Sequence, residues 1–473
     1  MKIGIKSFGL YVPYHRIERK TVGQFYQSGG GKGEKAVAYY DEDSITMAVA
    51  AAENCLSGTD TASLGACYFA STSSPYSEKQ AASLVASALD VKENLRASDF
   101  AGSLRAGGNA LLSALDFAAQ GGDALVAVAD CPTSLAASAN ELMYGDGAAA
   151  FLVGSEDLIA ELIGSYSISH DFADTWRLAD EGIPRTFDAK YAMEYGYIPF
   201  VTKSIKGVLN KYNLTAEQIT KVVLDATNER KIAAIAETVG FAPEQFQAPL
   251  LAEFGYAASA YAPMLLTSAL EQSQAGDLIL YVSYGEGSDA LLFCSTAEGK
   301  PGKGRGLAHY ATYKNNTLRY DKYLRWKNML ELDPPRRPTP RRVSLVDYYR
   351  NSKKNLGGYG SICTDCGTPI FPAGRVCPKC HAIDHMEPYS FRGRVAKVAT
   401  FTFDALTFSP DPPNLDAVVD FEGGGRMFAA LVDVDPKSVA IGMQVELSFR
   451  VVRDAEGVRV YAWKVVPCHS VVD

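Results

Sequence analysis

The chain has 473 residues, of which 47% are hydrophobic and 21% are charged, and its formal net charge at pH 7 is −8. This length exceeds one ordinary hydrophobic core, so we expect at least two folded domains, and the composition excludes a largely disordered chain. The acidic balance argues against nucleic acid as the main partner, because phosphate backbones are bound by basic surfaces.

Two further features concern the compartment in which the protein works. No stretch approaches the roughly 18 uninterrupted apolar residues of a membrane span, and the first residues lack the pattern of a signal peptide. The nine cysteines are an odd number, and four of them form two close pairs. This usage is typical of metal binding in a reducing compartment, so we expect a cytoplasmic protein with no membrane partner.

The first 300 residues contain two segments in which the same elements are predicted in the same order. Each segment has an amphipathic helix, a glycine-containing stop and two apolar strands. The ranges are 105–117, 121–123, 124–129 and 148–153 in the first segment, and 257–270, 276–277, 278–282 and 290–293 in the second. Helices that alternate with buried strands indicate an α/β fold, and from this alternation we expect parallel sheets.

The composition changes between Lys300 and Arg342, where Lys, Arg, Tyr and Pro become frequent. The proline-rich run at 334–338 marks a domain boundary and ends a short helix predicted at 323–332. Beyond Gly358 the chain becomes rich in cysteine and then in alternating apolar residues. The alternating runs predict antiparallel strands of a small β-barrel: 394–398, 445–449 and 458–461.

Four cysteines in this second part of the chain have the spacing of a zinc site: Cys363, Cys366, Cys377 and Cys380. Two residues separate the members of each pair, which lets each pair form a tight knuckle and brings four thiolates around one zinc ion. All four coordination positions are then filled, so the predicted zinc is structural and not catalytic. The alternative interpretation is four unrelated buried thiols.

Three stretches of the first domain resemble the 3-hydroxy-3-methylglutaryl-CoA synthase branch of the thiolase superfamily: residues 2–5 with 11–13, 145–150 and 283–290. The second domain resembles the zinc-ribbon and OB-fold family that accompanies thiolase-like enzymes, in residues 363–380, 419–426 and 463–464. These resemblances imply a thiolase-like five-layered αβαβα fold, followed by a rubredoxin-like zinc ribbon and a small β-barrel (OB fold). The implied domains are 1–299 for the thiolase-like domain, 300–357 for a basic helical linker, 358–388 for the zinc ribbon and 389–473 for the OB fold.

The resemblance also implies an acyl-CoA substrate, delivered through a tunnel for its pantetheine arm, and a homodimer formed through the thiolase core. A further thiolase-like subunit could join this assembly. The basic run 300–342 could contact coenzyme A phosphates, although a solvated linker or docking arm is the preferred interpretation. OB folds usually bind nucleic acid; in this context the resemblance favours a role in shaping or covering the acyl-CoA site.

The sequence departs from the synthases at the residue that attacks the thioester. In that family a cysteine at a helix N-terminus forms the acyl-enzyme, whereas here Leu104 occupies the matching position. Ser103 is adjacent, but neighbouring residues of a helix point about 100° apart, so we do not expect its hydroxyl to replace the thiol. The family's catalytic histidine would fall at 225–227 and its glutamate at 73–74, and neither residue type is present there.

Polar residues in the active-site loops that the resemblance implies are the remaining catalytic candidates: Tyr76, Tyr256, Tyr284 and Glu286. Glu286 is the strongest of them, because an acidic side chain flanked by glycines has little reason to be structural. Any one of the tyrosines could instead be a packing residue, since the chain contains 26 of them. Arg105, at the start of the first predicted helix of the repeat, is the candidate for contact with coenzyme A.

These observations leave three hypotheses about function. The first, which we favour, is a carbon–carbon lyase that cleaves a 3-hydroxyacyl-CoA by a retro-aldol reaction. That reaction needs a base for the hydroxyl proton and donors for the enolate oxygen, but no covalent intermediate. The second is a retained synthase or acyltransferase activity, which requires that Leu104 does not occupy the nucleophile position. The third is a scaffold that binds acyl-CoA and a partner enzyme without turnover.

Overall fold

The computed structural model describes residues 2–296, 304–331, 333, 343–406, 409–455 and 457–468. These residues divide into two compact units. Unit 1 consists of those within Met1–Tyr39, Asp43–Ala86 and Val91–Met329, and unit 2 of those within Tyr40–Glu42, Ser87–Asp90 and Leu330–Asp473. The proline-rich run predicted to mark the boundary, 334–338, lies outside the described residues. In the part of the chain that is described, no helix is long and apolar enough to cross a membrane.

The strands of unit 1 are β1 Gly4–Tyr11, β2 His15–Glu18, β3 Glu34–Val37, β4 Leu64–Ala70, β5 Arg96–Phe100, β6 Asp123–Asp130, β7 Gly147–Gly154, β8 Ala160–Ser169, β9 Thr175–Trp176, β10 Arg185–Thr186, β11 Lys221–Leu224, β12 Leu278–Tyr284 and β13 Gly287–Ser295. The α-helices that begin in unit 1 are α1 Arg19–Phe25, α2 Ser44–Cys55, α3 Ala81–Ala88, α4 Ala106–Ala118, α5 Ala139–Met143, α6 Ala189–Tyr191, α7 Ile198–Lys211, α8 Glu229–Val239, α9 Tyr261–Gln272, α10 Leu307–Thr312 and α11 Tyr320–Trp326. A π-helix spans Ala192–Tyr197, and short 3-10 helices span Ala216–Gln218, Pro243–Gln245 and Ala258–Ala260.

Nine of these strands form one mixed sheet in the order β11-β12-β13-β8-β1-β7-β6-β4-β5. β1 and β8 join its two halves through only two residue pairs, Gly4 with Glu161 and Ile5 with Ala160. The pairs β4–β5, β4–β6 and β11–β12 are parallel, and the other neighbouring pairs are antiparallel. The expectation of parallel sheets is therefore wrong for most of the sheet. For the pair β12–β13 the reason is local, because the two-residue turn between these strands is too short for a parallel crossover.

The predicted internal repeat is confirmed by the topology of the two halves. In each half a helix leads into a strand that pairs in parallel with an earlier strand and antiparallel with the next one: α4, β6 and β7 in the first half, and α9, β12 and β13 in the second. α2 packs on the first half, α4 and α9 pack on one another between the halves, and α7 and α8 pack on the second half. This arrangement is the five-layered αβαβα fold. Gly107 of α4 permits the close approach, since a Cβ there would lie 2.6 Å from the carbonyl oxygen of Ser259.

Part of the predicted linker 300–357 is built into unit 1 as α10 and α11. The rings of Tyr310, Tyr323 and Trp326 are buried there, and the ammonium group of buried Lys35 donates a 2.9 Å hydrogen bond to the Tyr323 hydroxyl. Burial of such large rings stabilises the packing of α10 and α11 on unit 1. The basic composition of this segment had instead favoured a solvated linker or docking arm. The described residues of the predicted linker from Leu330 onward belong to unit 2.

Unit 2 contains helices α12 Leu345–Arg350 and α13 Ser352–Asn355, a 3-10 helix at Pro436–Ser438, and strands β14 Tyr359–Cys363, β15 Pro369–Ile370, β16 Met386–Ser390, β17 Ala396–Asp404, β18 Asn414–Phe421, β19 Arg426–Ala430, β20 Gln444–Ala455 and β21 Val458–Pro467. β15, β14 and β16 form a small sheet, and the last five strands form an antiparallel sheet in the order β19-β18-β17-β20-β21. The N–H of Val432 donates a 2.9 Å hydrogen bond to the carbonyl of Val465. That contact joins the two edges of the sheet and closes the predicted small barrel.

A buried charge network ties residues 40–42 to the barrel within unit 2. The Asp41 carboxylate accepts hydrogen bonds from Lys464 at 2.7 Å and from Arg450 at 3.2 Å. Arg450 also pairs with Asp433 and, at 3.0 Å, with Glu42. Burial by itself raises the pKa of Asp41, but the charges of Lys464 and Arg450 outweigh it and hold that pKa below its usual value. The network therefore keeps Asp41 ionised in the interior of this unit.

Candidate active site

The segment that leads into α4 places Ser103 against the turn between β12 and β13. The Ser103 hydroxyl donates a 2.5 Å hydrogen bond to Oε2 of Glu286. Glu286 has a φ of 45°, in the left-handed region that is costly for a residue with a Cβ. A Cβ on the preceding Gly285 would lie 2.7 Å from the Ser103 oxygen, so this position requires glycine. The turn therefore holds a carboxyl group at the start of α4 at a conformational cost.

The surroundings of Glu286 favour its protonated form. Half-burial raises the pKa of its carboxyl group, and the negative charges of Asp174 and Asp171 raise it further. The hydrogen bond from Ser103 and the charge of Arg105 act in the opposite direction. A carboxyl group with a raised pKa near a helix start can accept and return a proton closer to neutral pH than an ordinary glutamate.

Arg105, predicted to contact coenzyme A, is engaged inside the protein. Its Nη1 donates to the carbonyl of Ile168 at 2.9 Å and lies 3.3 Å from the Asp289 carboxylate. Its Nη2 donates to the Ser169 hydroxyl at 2.9 Å and to the carbonyl of Glu286 at 3.3 Å. A phosphate contact through these nitrogens would break an ion pair with a buried carboxylate. The geometry supports a positioning role instead, in which Arg105 ties the end of β8 to the turn that carries Glu286.

A second carboxyl group lies directly after β11. Asp225 is buried, and it accepts a 3.0 Å hydrogen bond from the Tyr256 hydroxyl and a 3.4 Å hydrogen bond from the N–H of Tyr284. The Tyr197 hydroxyl donates to its backbone carbonyl at 2.6 Å. Burial raises the pKa of Asp225 to about 6, although the charge of Lys231 and the hydrogen bonds from Tyr256 and Tyr284 lower it. This carboxyl group therefore changes protonation state within one or two pH units of neutrality.

Lys231 supplies the positive charge beside this carboxyl group. Its Nζ lies 4.3 Å from the ring centroid of Tyr197 and 5.8 Å from that of Tyr284. Burial lowers the pKa of Lys231, while the charges of Asp225 and Asp174 raise it. The lysine and the two acids therefore form a charge cluster beside the rings of Tyr197 and Tyr284.

Tyr284 connects the two carboxyl groups. Its N–H contacts Asp225, its hydroxyl donates a 2.7 Å hydrogen bond to Asp174, and Glu286 follows two residues later. Burial and the contact with Asp174 raise the pKa of Tyr284 well above its usual value, so the hydroxyl stays protonated at neutral pH. The single turn after β12 thus brings together Tyr284, Glu286 and, through Asp225, Tyr256.

A third polar cluster is centred on Asp130 at the end of β6. Its carboxylate accepts hydrogen bonds from the hydroxyls of Ser71 at 2.9 Å, Ser73 at 2.7 Å and Ser259 at 2.5 Å. Burial raises the pKa of Asp130, and the serine hydrogen bonds lower it. Ser73 lies where the family's glutamate was expected. Tyr76 lies in the same loop with Lys79 Nζ 5.4 Å from its ring centroid, and its catalytic role stays a prediction.

Leu104, at the position expected for the nucleophile, has an apolar side chain that packs on the hydrophobic core of unit 1. Ser103 and Leu104 lie in the turn before α4 and not in the helix. The expectation that helical geometry separates their side chains by about 100° is therefore wrong, and the Ser103 hydroxyl faces Glu286. The half-buried Cys131 follows β6, and its N–H donates a 2.8 Å hydrogen bond to Ser73.

The four predicted zinc ligands come together in unit 2. Their sulfur atoms all lie within 4.8 Å of one another. The sulfurs of Cys363 and Cys380 are 3.6 Å apart, as are those of Cys366 and Cys377. Four thiolates at about 2.3 Å from one zinc ion lie about 3.8 Å from each other, so the donor set fits a tetrahedral ion.

The larger part of the chain is similar in sequence to hydroxymethylglutaryl-CoA synthases. It is 31% identical over 309 residues to that of Methanopyrus kandleri, which covers 62% of this chain and 88% of the relative. It is 30% identical over 332 residues to that of Methanocaldococcus jannaschii, which covers 68% of this chain and 96% of the relative. The chain belongs to the hydroxymethylglutaryl-CoA synthase family. Residues 209–292 also match the family model of the 3-oxoacyl-[acyl-carrier-protein] synthase III C terminus.

Solved structures confirm the thiolase-like fold of this hydroxymethylglutaryl-CoA synthase family member. A crystal structure of an HMG-CoA synthase complexed with CoA has a TM-score of 0.62 at 19% identity, covering 69% of this chain and 90% of that protein. The 3-oxoacyl-(acyl carrier protein) synthase III of Pseudomonas aeruginosa has a TM-score of 0.57 at 18% identity, covering 63% of this chain and 99% of that protein. At these identities the likeness concerns the fold alone.

Unit 2 matches two other family models. Residues 359–384 match the rubredoxin-like zinc ribbon domain of ChsH2, and residues 387–450 match its C-terminal OB-fold domain. The predicted fusion of a thiolase-like domain to a zinc ribbon and an OB fold is confirmed. The homodimer and the further thiolase-like subunit stay predictions.

The fold brings to the site charged residues that sequence reasoning did not select, among them Asp130, Asp174, Asp225 and Lys231. The sequence analysis considers position 225 only as a place where the family's histidine is absent. A sequence signal for Asp225 was present, because this acidic residue directly follows an apolar run, as Asp130 also does. Lys231 lies on the partly exposed helix α8, where a lysine carries no signal of its own.

Proposed function

We propose that this chain acts on acyl-CoA thioesters and cleaves the bond between C2 and C3 of a 3-hydroxyacyl-CoA by a retro-aldol reaction without an acyl-enzyme. The observation that carries the proposal is the start of α4. There Leu104 occupies the expected nucleophile position, and the hydroxyl of the neighbouring Ser103 donates a hydrogen bond to the Glu286 carboxyl group. Family membership supports the substrate class, since hydroxymethylglutaryl-CoA is itself a 3-hydroxyacyl thioester.

The proposed reaction balances with groups that the chain supplies. Glu286 accepts the proton of the substrate hydroxyl, the C2–C3 bond breaks, and its electron pair moves into the thioester as an enolate. C3 leaves as an aldehyde or ketone. The pair of Tyr256 and Asp225 returns a proton to C2, which completes the acyl-CoA product. Exchange with solvent water then removes the proton from Glu286 and returns one to the pair. Tyr284, whose hydroxyl stays protonated, and Arg105 hold the turn that positions Glu286.

The direct test follows products and protein mass together. Purified protein is incubated with 3-hydroxyacyl-CoA substrates and, separately, with acetyl-CoA. We expect release of an aldehyde or ketone, no mass added to the protein, and loss of most activity in Glu286→Gln. Glu237→Gln, on the exposed face of α8, is the matched control and should retain activity. Acetylation of the chain at Cys131, Ser103 or any other residue during turnover would contradict the proposal.

A second candidate function is condensation, the synthase reaction that the names of the relatives indicate. An identity of 30–31% over most of the length of two hydroxymethylglutaryl-CoA synthases favours it. A synthase of this family forms an acyl-enzyme, so this candidate requires a nucleophile other than the residue at position 104. Supplying acetyl-CoA with a ketone or aldehyde distinguishes the two, because only a synthase that works through an acyl-enzyme would add the mass of an acetyl group to the chain.

We also propose that the cysteine cluster of unit 2 holds a structural zinc ion. Four thiolates leave no coordination position for substrate or water. Removal of zinc by a chelator should therefore unfold the small sheet of β14, β15 and β16, with the metal loss verified by elemental analysis. Full retention of the secondary structure of this region after verified removal would contradict a structural role. Cys363→Ser, which removes one ligand, should lower zinc content in parallel with stability.

A further inference from the structure

We propose that the acyl group carries no charge at its far end and bears an aromatic ring on C3. The substrate is then a 3-aryl-3-hydroxyacyl-CoA, and the released carbonyl compound is an aromatic aldehyde. This inference rests on the retro-aldol cleavage proposed above and specifies its substrate. Two features of unit 1 carry it: an excess of carboxyl groups around Glu286, and a row of aromatic side chains that begins at Phe172, close to Tyr284.

The carboxyl groups belong to the loop after β8, which lies against the turn after β12. The N–H of His170 donates a 3.1 Å hydrogen bond to the carbonyl of Glu286, and Asp171 is the next residue. Asp174 is held to the same turn by the 2.7 Å hydrogen bond from the Tyr284 hydroxyl. Three carboxyl groups therefore converge on the place where the substrate hydroxyl is proposed to lose its proton.

The two described cations of this site already have carboxyl partners. Arg105 pairs with Asp289 at 3.3 Å, and its other terminal nitrogen is engaged by protein oxygens. Lys231 interacts with Asp225 and Asp174. A terminal carboxylate on the acyl chain would add one more negative charge, and neither cation could receive it without leaving a buried or half-buried acid unpaired. Charge thus selects against dicarboxylic acyl groups.

The aromatic row consists of Phe172, Tyr191, Phe187 and Tyr195. Phe172 is buried and stacks on Tyr191, with ring centroids 5.0 Å apart and an interplanar angle of 13°. The Tyr191 ring is 5.3 Å from that of Phe187 and 5.6 Å from that of Tyr195. Phe187 and Tyr195 are 58% and 64% exposed. The row therefore runs from the buried Phe172 to open surface.

Gly196 joins this row to the catalytic turn. A Cβ at this position would lie 2.3 Å from the Phe172 ring and 2.6 Å from the Tyr284 hydroxyl, so only glycine allows both groups to approach. Gly196 belongs to the π-helix Ala192–Tyr197, and π-helical turns occur frequently at functional sites. The aromatic surface is thus continuous with the carboxyl groups, and a ring on C3 of the substrate can stack on it.

Binding of acyl-CoA compounds that lack the 3-hydroxyl group tests the inference independently of cleavage. Calorimetry on the full chain compares 3-phenylpropanoyl-CoA, butanoyl-CoA and glutaryl-CoA. We expect 3-phenylpropanoyl-CoA to bind at least tenfold more tightly than butanoyl-CoA, and glutaryl-CoA to bind most weakly. Equal binding of 3-phenylpropanoyl-CoA and butanoyl-CoA, or binding of glutaryl-CoA as tight as either, would overturn the inference.

Two variants assign the preference to the named residues. Tyr191→Leu should reduce the preference for 3-phenylpropanoyl-CoA over butanoyl-CoA about tenfold, whereas Tyr349→Leu, on the exposed face of α12, should leave it unchanged. Asp171→Asn should narrow the gap between butanoyl-CoA and glutaryl-CoA, with Asp116→Asn on the exposed face of α4 as its control. Circular dichroism establishes that each variant is folded. An unchanged preference in folded Tyr191→Leu would contradict the role of the aromatic row.

Cleavage assays separate this inference from the proposed function. We expect 3-hydroxy-3-phenylpropanoyl-CoA to yield benzaldehyde and acetyl-CoA. If the aryl compound binds selectively but no substrate releases a carbonyl product, the cleavage proposal fails while the aryl preference stands. If 3-hydroxy-3-methylglutaryl-CoA yields acetoacetate and acetyl-CoA as fast as the aryl substrate yields benzaldehyde, the cleavage proposal stands and the aryl preference fails.

Discussion

Replacement of Asp225 by asparagine should stabilise unit 1 at alkaline pH while it removes the proposed proton donor. Burial raises the pKa of Asp225 from 3.8 to about 6, so the folded chain binds this proton more tightly than the unfolded chain does. The ionised carboxylate therefore destabilises the folded state progressively as pH rises above about 4, and its full effect is reached above about pH 6. At about 1.4 kcal/mol per pKa unit, the full effect is about 3 kcal/mol.

The informative quantity is how the difference between variant and parent changes with pH. Between about pH 4.5 and pH 8, the free energy of unfolding of Asp225→Asn should rise by about 2 kcal/mol relative to that of the parent. The NH2 group of asparagine needs hydrogen-bond acceptors that the carboxylate did not need. The free-energy cost of lacking them is the same at both pH values, so it cancels from the comparison. Lys231 loses a partner that raised its pKa, and the resulting shift has the same sign, because a buried lysine is less costly at higher pH.

Thermal and denaturant unfolding of the full chain at both pH values measure this difference. Tryptophan fluorescence follows the transition, since unit 1 contains Trp176 and Trp326. Asp116→Asn, at an exposed position of α4, is the control and should show no such pH dependence. The reasoning is refuted if the difference between Asp225→Asn and the parent does not change with pH, or changes in favour of the parent at pH 8.

Two further predictions concern charged groups with defined partners. Ser103→Ala removes the hydrogen bond that lowers the pKa of Glu286, so the acidic limb of the pH–activity profile should move to higher pH; an unmoved limb would mean that another group is the base. Asp41→Asn removes a carboxylate whose pKa is held low in spite of burial by Lys464 and Arg450, and the variant should be less stable by about 3 kcal/mol at neutral pH. The contribution of this carboxylate is present above its unfolded pKa near 4 and is lost as pH falls below it, so unfolding curves at about pH 3 and pH 7 should differ in the size of the effect.

The sequence by itself was sufficient for features that depend on near neighbours in the chain. The spacing of Cys363, Cys366, Cys377 and Cys380 predicted the metal cluster, because two-residue gaps in a short loop leave few ways to arrange four thiols. Apolar periodicity predicted both halves of the internal repeat, since the burial of α4, β6 and β7 follows from their own side chains. The expectation that Leu104 replaces the family's cysteine also depends only on the segment before α4, and it stays a prediction.

Only the tertiary structure decided which polar groups meet. Ser103 and Glu286 are 183 residues apart and Arg105 and Asp289 are 184 apart, and a pattern in the chain does not encode such separations. For the same reason Arg105 was assigned to coenzyme A although its guanidinium group is engaged by the protein. In the sequence, Asp225 is an acidic residue after a strand and nothing more. Only the fold buries its carboxyl group and places the Tyr256 hydroxyl beside it. Its raised pKa results from burial, which depends on the whole arrangement of α8, β11 and β12 and not on any local sequence.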